Sequence, residues 1–216
     1  MFFQGSQMPT RKASPSLPCT TRRSRGRYQS PIFYGRCNLV DSAIVWEHRP
    51  AGFAFPHHEI SSITALLHRA YAPLAEKGWN YSAATQHDNI TLERLQRGDT
   101  VIALIDGIIV ATGTVYLTPL RKSRTAVYCQ NGGSHFSQFA VEPRLQGKGV
   151  GFELLSRLEE LAARAGCNFI ACDTAEHADD LRAYYSRCGY EFIDRVHWEG
   201  KTYGSVILVK SLTRPK

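Results

Sequence analysis

Gln138-Phe139-Ala140-Val141-Glu142-Pro143-Arg144-Leu145-Gln146-Gly147-Lys148-Gly149-Val150-Gly151 is the stretch on which the reading of this chain turns. Its first part reads as a strand that stops at Pro143. Its last part opens a helix, predicted over Gly149 to Ala165, with Leu154, Leu155, Leu158 and Leu161 on one apolar face. Three glycines punctuate the junction and let backbone approach a ligand closely. The first-turn amides of the helix are unpaired donors at the positive end of its dipole. That combination makes a cradle for a pyrophosphate, and Arg144 and Lys148 add positive charge beside it. A tight strand-to-helix connection with no ligand uses glycines in the same way, so the stretch alone leaves both readings open. It lacks the Gly-Lys-Ser/Thr of a phosphate-binding P-loop, and its glycines do not fit Gly-x-Gly-x-x-Gly.

Outward from this junction the chain alternates strands with helices. Upstream, Ala43 to Trp46 reads as a short strand. His58 to Leu74 reads as a helix, with Ile60, Ile63, Leu66, Leu67 and Tyr71 at helical spacing. Asp88 or Asn89 can cap a second helix through Leu95. The apolar runs Val101 to Ile105 and Ile108 to Tyr116 flank Asp106-Gly107, a hairpin turn signal. Ser134 to Val141 is the next strand. Downstream of the junction helix, Asn168 to Cys172 reads as a buried strand and Asp179 to Cys188 as a helix, and two strands meet around Glu199-Gly200. The order β-α-α-β-β-β-α-β-α-β-β, with no internal repeat, predicts an α/β (α+β) domain whose mixed sheet is covered by helices.

The totals agree with one catalytic-sized domain and an extension. The chain has 216 residues, a net charge of +7 and a pI of about 9.2. Residues 1–40 hold seven basic and no acidic residues, which accounts for the whole excess. The other 19 basic residues face 19 acidic ones, so no nucleic-acid or anionic-membrane surface is expected of the domain. The 1–40 segment is rich in Ser, Pro, Thr and Arg and reads as a disordered tail, with some likeness to an organellar transit peptide. The domain is expected over 41–216. Six cysteines show no Cys-x-x-Cys pair and no zinc-site spacing, so no metal is expected and the thiols are read as reduced, in a cytoplasmic setting. No apolar run approaches the roughly 20 residues of a membrane-spanning helix.

The spacing Arg144-x-x-Gly147-x-Gly149 resembles the acyl-CoA signature of the GNAT N-acetyltransferase superfamily, Arg/Gln-x-x-Gly-x-Gly/Ala between a strand and a long helix. A second stretch, Tyr184-Tyr185-Ser186-Arg187-Cys188-Gly189-Tyr190-Glu191-Phe192, looks like the family's tyrosine, three residues, glycine and aromatic at a helix end. With the element order, the resemblance covers about residues 41 to 212. It implies the splayed, mostly antiparallel GNAT sheet and direct transfer of an acyl group, the acetyl of acetyl-CoA, to an amine without a covalent cysteine. The implied acceptor is a small-molecule or peptide amine. A homodimer is compatible with such a domain.

By the same resemblance, Phe139, Ala140 and Val141 would pair with the pantetheine arm, with the Val141 amide facing the thioester carbonyl. Gln146, Gly147, Lys148, Gly149, Val150 and Gly151 would hold the pyrophosphate, with Arg144 beside them. Tyr185 matches the tyrosine that protonates the departing sulfur, and Tyr184 is its neighbouring alternative. The base is left between Asp173, at the end of a strand, and His135, in the strand before the cradle. Asp173 as a turn cap and His135 as a core residue are the competing readings. Where the family often has asparagine seven residues before the tyrosine, this chain has Ala178, with His177 as its nearest polar substitute. Trp79-Asn80-Tyr81 and His197-Trp198-Glu199 are expected at the acceptor side, although Trp79 and Trp198 would equally cover a core edge. A domain that binds acyl-CoA without turnover is the second functional reading.

Overall fold

The structure is a computed structural model and describes residues 43–212; the expected tail over 1–40 lies outside the described residues. The chain runs β1 (Val45–Arg49), α1 (His57–Glu76), α2 (Asp88–Gln96), β2 (Asp99–Ile105), β3 (Ile108–Tyr116), β4 (Gly133–Val141), α3 (Val150–Arg164), β5 (Phe169–Ala175), α4 (Asp179–Arg187), β6 (Glu191–Val196) and β7 (Ser205–Ser211). This is the element order expected from periodicity. The seven strands form one sheet in the order β1-β2-β3-β4-β5-β7-β6, antiparallel at every step except β4 against β5. Asp106 and Gly107 both take positive φ, 51° and 77°, so the tight turn between β2 and β3 forms where the sequence signals it.

Side chains alternate between two covered faces. Ile60, Ile63, Leu66 and Leu67 of α1 and Leu95 of α2 pack with Ile102 and Ile109 on one face. Leu154, Leu155, Leu158 and Ala162 of α3 pack with Val101, Ala103 and Val110 on the other. Burying a stripe of leucines in this way is worth roughly 1.5–3 kcal/mol per side chain, which makes α3 the main clamp on that face.

Three local expectations need correction. The first strand lies at Val45–Arg49 rather than Ala43 to Trp46, because the whole Val-Trp-Glu-His-Arg run pairs with β2. The N-cap of α2 is His87, which makes no side-chain cap bond. Asp88 instead accepts a 2.5 Å hydrogen bond from Ser61 on α1 and so ties the two helices together. The strand expected to stop at Cys172 continues to Ala175, since β7 pairs with it as far as Ala175 opposite Ser205. Asp173 therefore sits within β5.

β4 and β5 pair only from Gly133–Phe169 to His135–Ala171 and then part. Beyond that point β4 keeps only β3 as partner, with an irregular register between Thr112 and Thr114. The extra residue is accommodated at Gln138, whose φ is +54°, a left-handed conformation unusual for a residue other than glycine. This bulge resets the alternation. Phe136 and, after the bulge, Phe139 and Val141 face α3, whereas Ala140 faces α1. Among the described residues, Cys129, Cys167, Cys172 and Cys188 are unpaired, no helix is long and apolar enough to cross a membrane, and no group of three His, Cys, Asp or Glu is placed to hold a metal.

Candidate active site

At the point where β4 and β5 part, the two faces of the sheet carry different chemistry. On the α3 face, Tyr185 of α4 is buried at 7% exposure among Phe136, Phe139, Tyr184 and Tyr190, with ring centroids 5.2–6.5 Å away. Burial pushes its phenol well above the ordinary range, and nearby Cys172 and Tyr71 add to the shift. Tyr185 thus stays protonated across the neutral range. Tyr184 points toward α3, and among the described residues its buried hydroxyl has no partner within hydrogen-bond geometry; burial first, and then the nearby Cys188 thiol, push its pKa up. That hydroxyl lies 3.3 Å from where a Cβ on Gly151 would be, so a side chain at Gly151 would crowd it. A buried donor left open beside the first turn of α3 suits a bound acceptor oxygen.

The glycine-rich turn has the expected form. Gly147 and Gly149 take φ of 71° and 86°, and a Cβ on either would meet nothing within 4 Å. Backbone conformation rather than crowding therefore demands glycine there, and the turn faces open space. Gly149 is the N-cap of α3, and Val150, Gly151 and Phe152 begin the helix with no side-chain cap. Arg144, Gln146 and Lys148 are exposed around this end. The Gln146 amide donates to the Val141 carbonyl at 3.1 Å and steadies the step from strand to turn. The Phe139 carbonyl accepts 3.1 Å from the Tyr71 hydroxyl of α1. Ala140 and Val141 pair with Thr112 and Ala111 on the β3 side and have no β5 partner on the other. Such an unpaired strand edge, a turn of exposed amides and an open phenol fit an extended donor with an amide-bearing arm and a pyrophosphate.

On the opposite face, Phe169, Ala171 and Asp173 of β5 alternate with Ile170 and Cys172, which face α3. Asp173 is open to water yet walled by protein. Its Oδ1 accepts from Tyr128 and its Oδ2 from the Trp198 indole, each at 2.9 Å. Desolvation by the surrounding protein raises its pKa above the usual carboxylate range, opposed first by the Trp198 and Tyr128 hydrogen bonds. Asp173 therefore does not cap the following turn. His135 lies in a stack of rings, between Tyr116 at 4.7 Å and Tyr128 at 4.8 Å, with Trp198 beyond Tyr128 at 6.1 Å. Desolvation, aided by the charge of Arg97, lowers its pKa to about 4, so it is neutral near pH 7.

The segment after α1 spans the gap. The Tyr81 hydroxyl shares a 3.0 Å hydrogen bond with Thr174 and accepts from the Ala175 amide at 2.7 Å, both on β5. Five residues on, Gln86 donates to Gln138 on β4 at 2.8 Å and to Thr91 at 2.7 Å, and accepts from Arg94 at 2.8 Å. Asn80 donates to the Gly200 carbonyl and accepts from the Thr202 amide, which ties the same segment to the loop between β6 and β7. Residues 80–86 form a strap anchored on both sides of the opening. Of the expected acceptor-side residues, Asn80, Tyr81 and Trp198 join this arrangement. Trp79 packs with Ala175, Ala178 and Tyr203, while exposed Glu199 pairs with Arg124. Ala178 supplies no cap to α4; the turn is held by its own amide on Ala175 and by Arg182 on the Glu176 carbonyl, and His177 lies exposed.

Sequence reasoning missed Gln86, Arg94, Tyr128 and Gln138. Gln138 and Tyr128 have partners 52 and 45 residues away, and Gln86 and Arg94 are singled out only because the fold sets the buried Gln86 amide beside the β4 bulge.

A Bacillus subtilis S-(2-succino)cysteine N-acetyltransferase is 31% identical over 134 residues, spanning 61% of this chain and 78% of its own. A probable glucosamine 6-phosphate N-acetyltransferase of rice is 33% identical over 84 residues, 38% of this chain and 45% of its own, so this match spans under half of that protein. The fold matches a Salmonella typhimurium protein solved with its cofactor acetyl-CoA, with a TM-score of 0.57 at 17% identity, over 79% of this chain and 95% of that one. The ribosomal-protein-S18-alanine N-acetyltransferase of Escherichia coli aligns with a TM-score of 0.57 at 11% identity, over 80% and 97% of the two chains. The acetyltransferase (GNAT) family model matches residues 61–190, across the strap, the bulge, the glycine turn and Tyr185, and the chain belongs to that family.

Proposed function

We propose that this protein transfers an acetyl group from acetyl-CoA to a primary amine within a ternary complex. The observation that carries the reading is the pairing of a hydrogen-bonded carboxylate, Asp173, with a buried phenol, Tyr185, on the two faces of the sheet where β4 and β5 part. Acetyl-CoA supplies an activated thioester carbonyl. The Gln146 to Gly151 turn holds its pyrophosphate with backbone amides, Arg144 and Lys148 add charge, and the free edge of Phe139 to Val141 aligns the arm. The Val141 amide faces the carbonyl oxygen.

Asp173 receives the amine and takes its proton as the carbon–nitrogen bond forms. Its raised pKa makes it a stronger base than an ordinary carboxylate. The carbon–sulfur bond breaks, and the Tyr185 hydroxyl donates to the departing sulfur. A phenol with a raised pKa gives its proton to a thiolate uphill, so Tyr185 acts chiefly as a hydrogen-bond donor that keeps its proton while CoA leaves as the thiolate, and the amine's proton passes from Asp173 to solvent. His135 serves as a neutral ring in the stack that positions Tyr128 and, through it, Asp173.

The test is release of free thiol from acetyl-CoA by the purified chain across an amine panel. Amine-dependent release supports transfer. Tight acetyl-CoA binding with no release for any amine would leave the second reading, an acyl-CoA-binding module of the same fold.

A further inference from the structure

The acceptor side contains more positive charge than its partners neutralise. Arg94 of α2 and Lys201 of the β6–β7 loop are both half-buried, and among the described residues neither has a carboxylate within ion-pair distance. Lys201 donates to the Asn80 carbonyl and to the Ser82 hydroxyl, each at 2.8 Å. Arg94 donates once, to the Gln86 side chain. All their partners are neutral. An ammonium has three donors and a guanidinium five, so each cation has donors to spare.

The two cations are held on one turn. The Gln86 amide bonds the Ser82 carbonyl at 2.8 Å, so the residues that bind Lys201 and Arg94 stand at the two ends of a single turn of the strap. Each feels the other: Lys201 is pushed below the ordinary lysine range first by desolvation and then by Arg94, and is held up by Asp173. Two cations and one carboxylate thus lie within electrostatic reach of one another. An amine carrying only its own positive charge would meet a net repulsive field there. An amine that also carries an anion would satisfy both signs. The strap is tied to β4, to β5 and to the β6–β7 loop, so it crosses this side of the sheet and limits the length of an acceptor that can lie beside Asp173.

We propose that the acceptor is a small amine bearing an anionic group, a carboxylate or a phosphate monoester, received by Arg94 and Lys201 while its amine meets Asp173. The assignment rests on the acetyltransferase reading. Charge-assisted hydrogen bonds from partly desolvated cations distinguish an anionic from a neutral ligand by about tenfold to a hundredfold.

The experiment compares matched pairs on the full chain with acetyl-CoA: amino acids against their amides, and aminoalkyl phosphates against the corresponding amino alcohols. Thiol release gives kcat/KM, and calorimetry in the presence of CoA gives binding. The anionic member of at least one series is expected to be preferred by about tenfold or more, with the carboxylate and phosphate series showing which anion fits. Arg94→Gln and Lys201→Gln should each collapse that preference toward unity through KM, while Arg97→Gln, an exposed charge just past the end of the same helix, should retain it. Equal or better turnover of the neutral members by an active enzyme would overturn the proposal and leave the acetyltransferase reading intact. So would a preference that Arg97→Gln removes as fully as Arg94→Gln, since a diffuse field would then be responsible. If no amine is turned over, calorimetry decides: anionic amines must bind the wild type at least about tenfold more tightly than Arg94→Gln, and equal binding overturns the proposal.

Discussion

At the level of single residues, the proposed roles of Tyr185 and Asp173 make separable demands. Tyr185→Phe keeps most of the ring packing against Phe136 and Tyr190 and removes only the hydroxyl. Turnover should fall by about a hundredfold while the dissociation constant for acetyl-CoA stays within about threefold, as measured by chemistry-limited kinetics and calorimetry. Tyr184→Phe, beside the cradle, should instead weaken donor binding more than turnover. Asp173 must be ionised to take a proton, so kcat/KM should rise with pH through an acid limb above the ordinary carboxylate range. Asp173→Asn should remove that limb along with most activity. The Trp198 indole stabilises the charged carboxylate, so Trp198→Phe should move the limb to higher pH; an unmoved limb would show that another group titrates there. Tyr185 was legible in the sequence because a helix-end tyrosine and glycine lie close together. The environment of Asp173 was not, because its two donors lie 45 and 25 residues away along the chain and an Asp-Thr pair after an apolar run reads as a turn.

At the level of elements, the bulge in β4 depends on the strap. Gln138 holds a left-handed backbone at a cost of about 1–2 kcal/mol, and its buried side-chain oxygen has Gln86 as donor. Gln86→Ala strips that donor and releases Arg94 and Thr91 at the same time. The loss should be about 1–3 kcal/mol, read as a fall of several degrees in thermal midpoint, with a raised KM for both substrates as the bulge loosens. Gly149→Ala should act more locally. A φ of 86° is strained for any side chain, so α3 should start less well and acetyl-CoA affinity should fall with little change in kcat at saturation. Helices and the β2–β3 turn were readable because periodicity and an Asp-Gly pair act locally. The bulge was not, since Gln138 is neither glycine nor proline and its cause is an amide 52 residues away. The same limit shortened β5 in the sequence reading, because its last residues are fixed by β7 and by Tyr81 rather than by their own propensity.

At the level of the whole molecule, the ring stack Tyr116, His135, Tyr128 and Trp198 makes folding stability depend on pH. His135 is 9% exposed, its folded pKa is depressed to about 4, and the groups facing it are two phenols and the more distant Arg97 charge. In the unfolded chain a histidine titrates near pKa 6.5. A depressed folded value means that the unfolded state binds the proton more readily. The stability contributed by neutral His135 is therefore fully present above about pH 6.5 and is lost as pH falls toward 4. Integrated from pH 7 to pH 4, the loss is about 3 kcal/mol, a large share of the 5–15 kcal/mol typical of a domain. His135→Phe keeps an aromatic ring between Tyr116 and Tyr128 and removes the titration. Urea unfolding at pH 7 and pH 4 should show the variant losing about 3 kcal/mol less than the wild type over that interval, whatever its stability at pH 7. A variant with the same pH dependence as the wild type would mean that His135 keeps its ordinary pKa in the folded protein and titrates near neutrality, which would return it to consideration as the base.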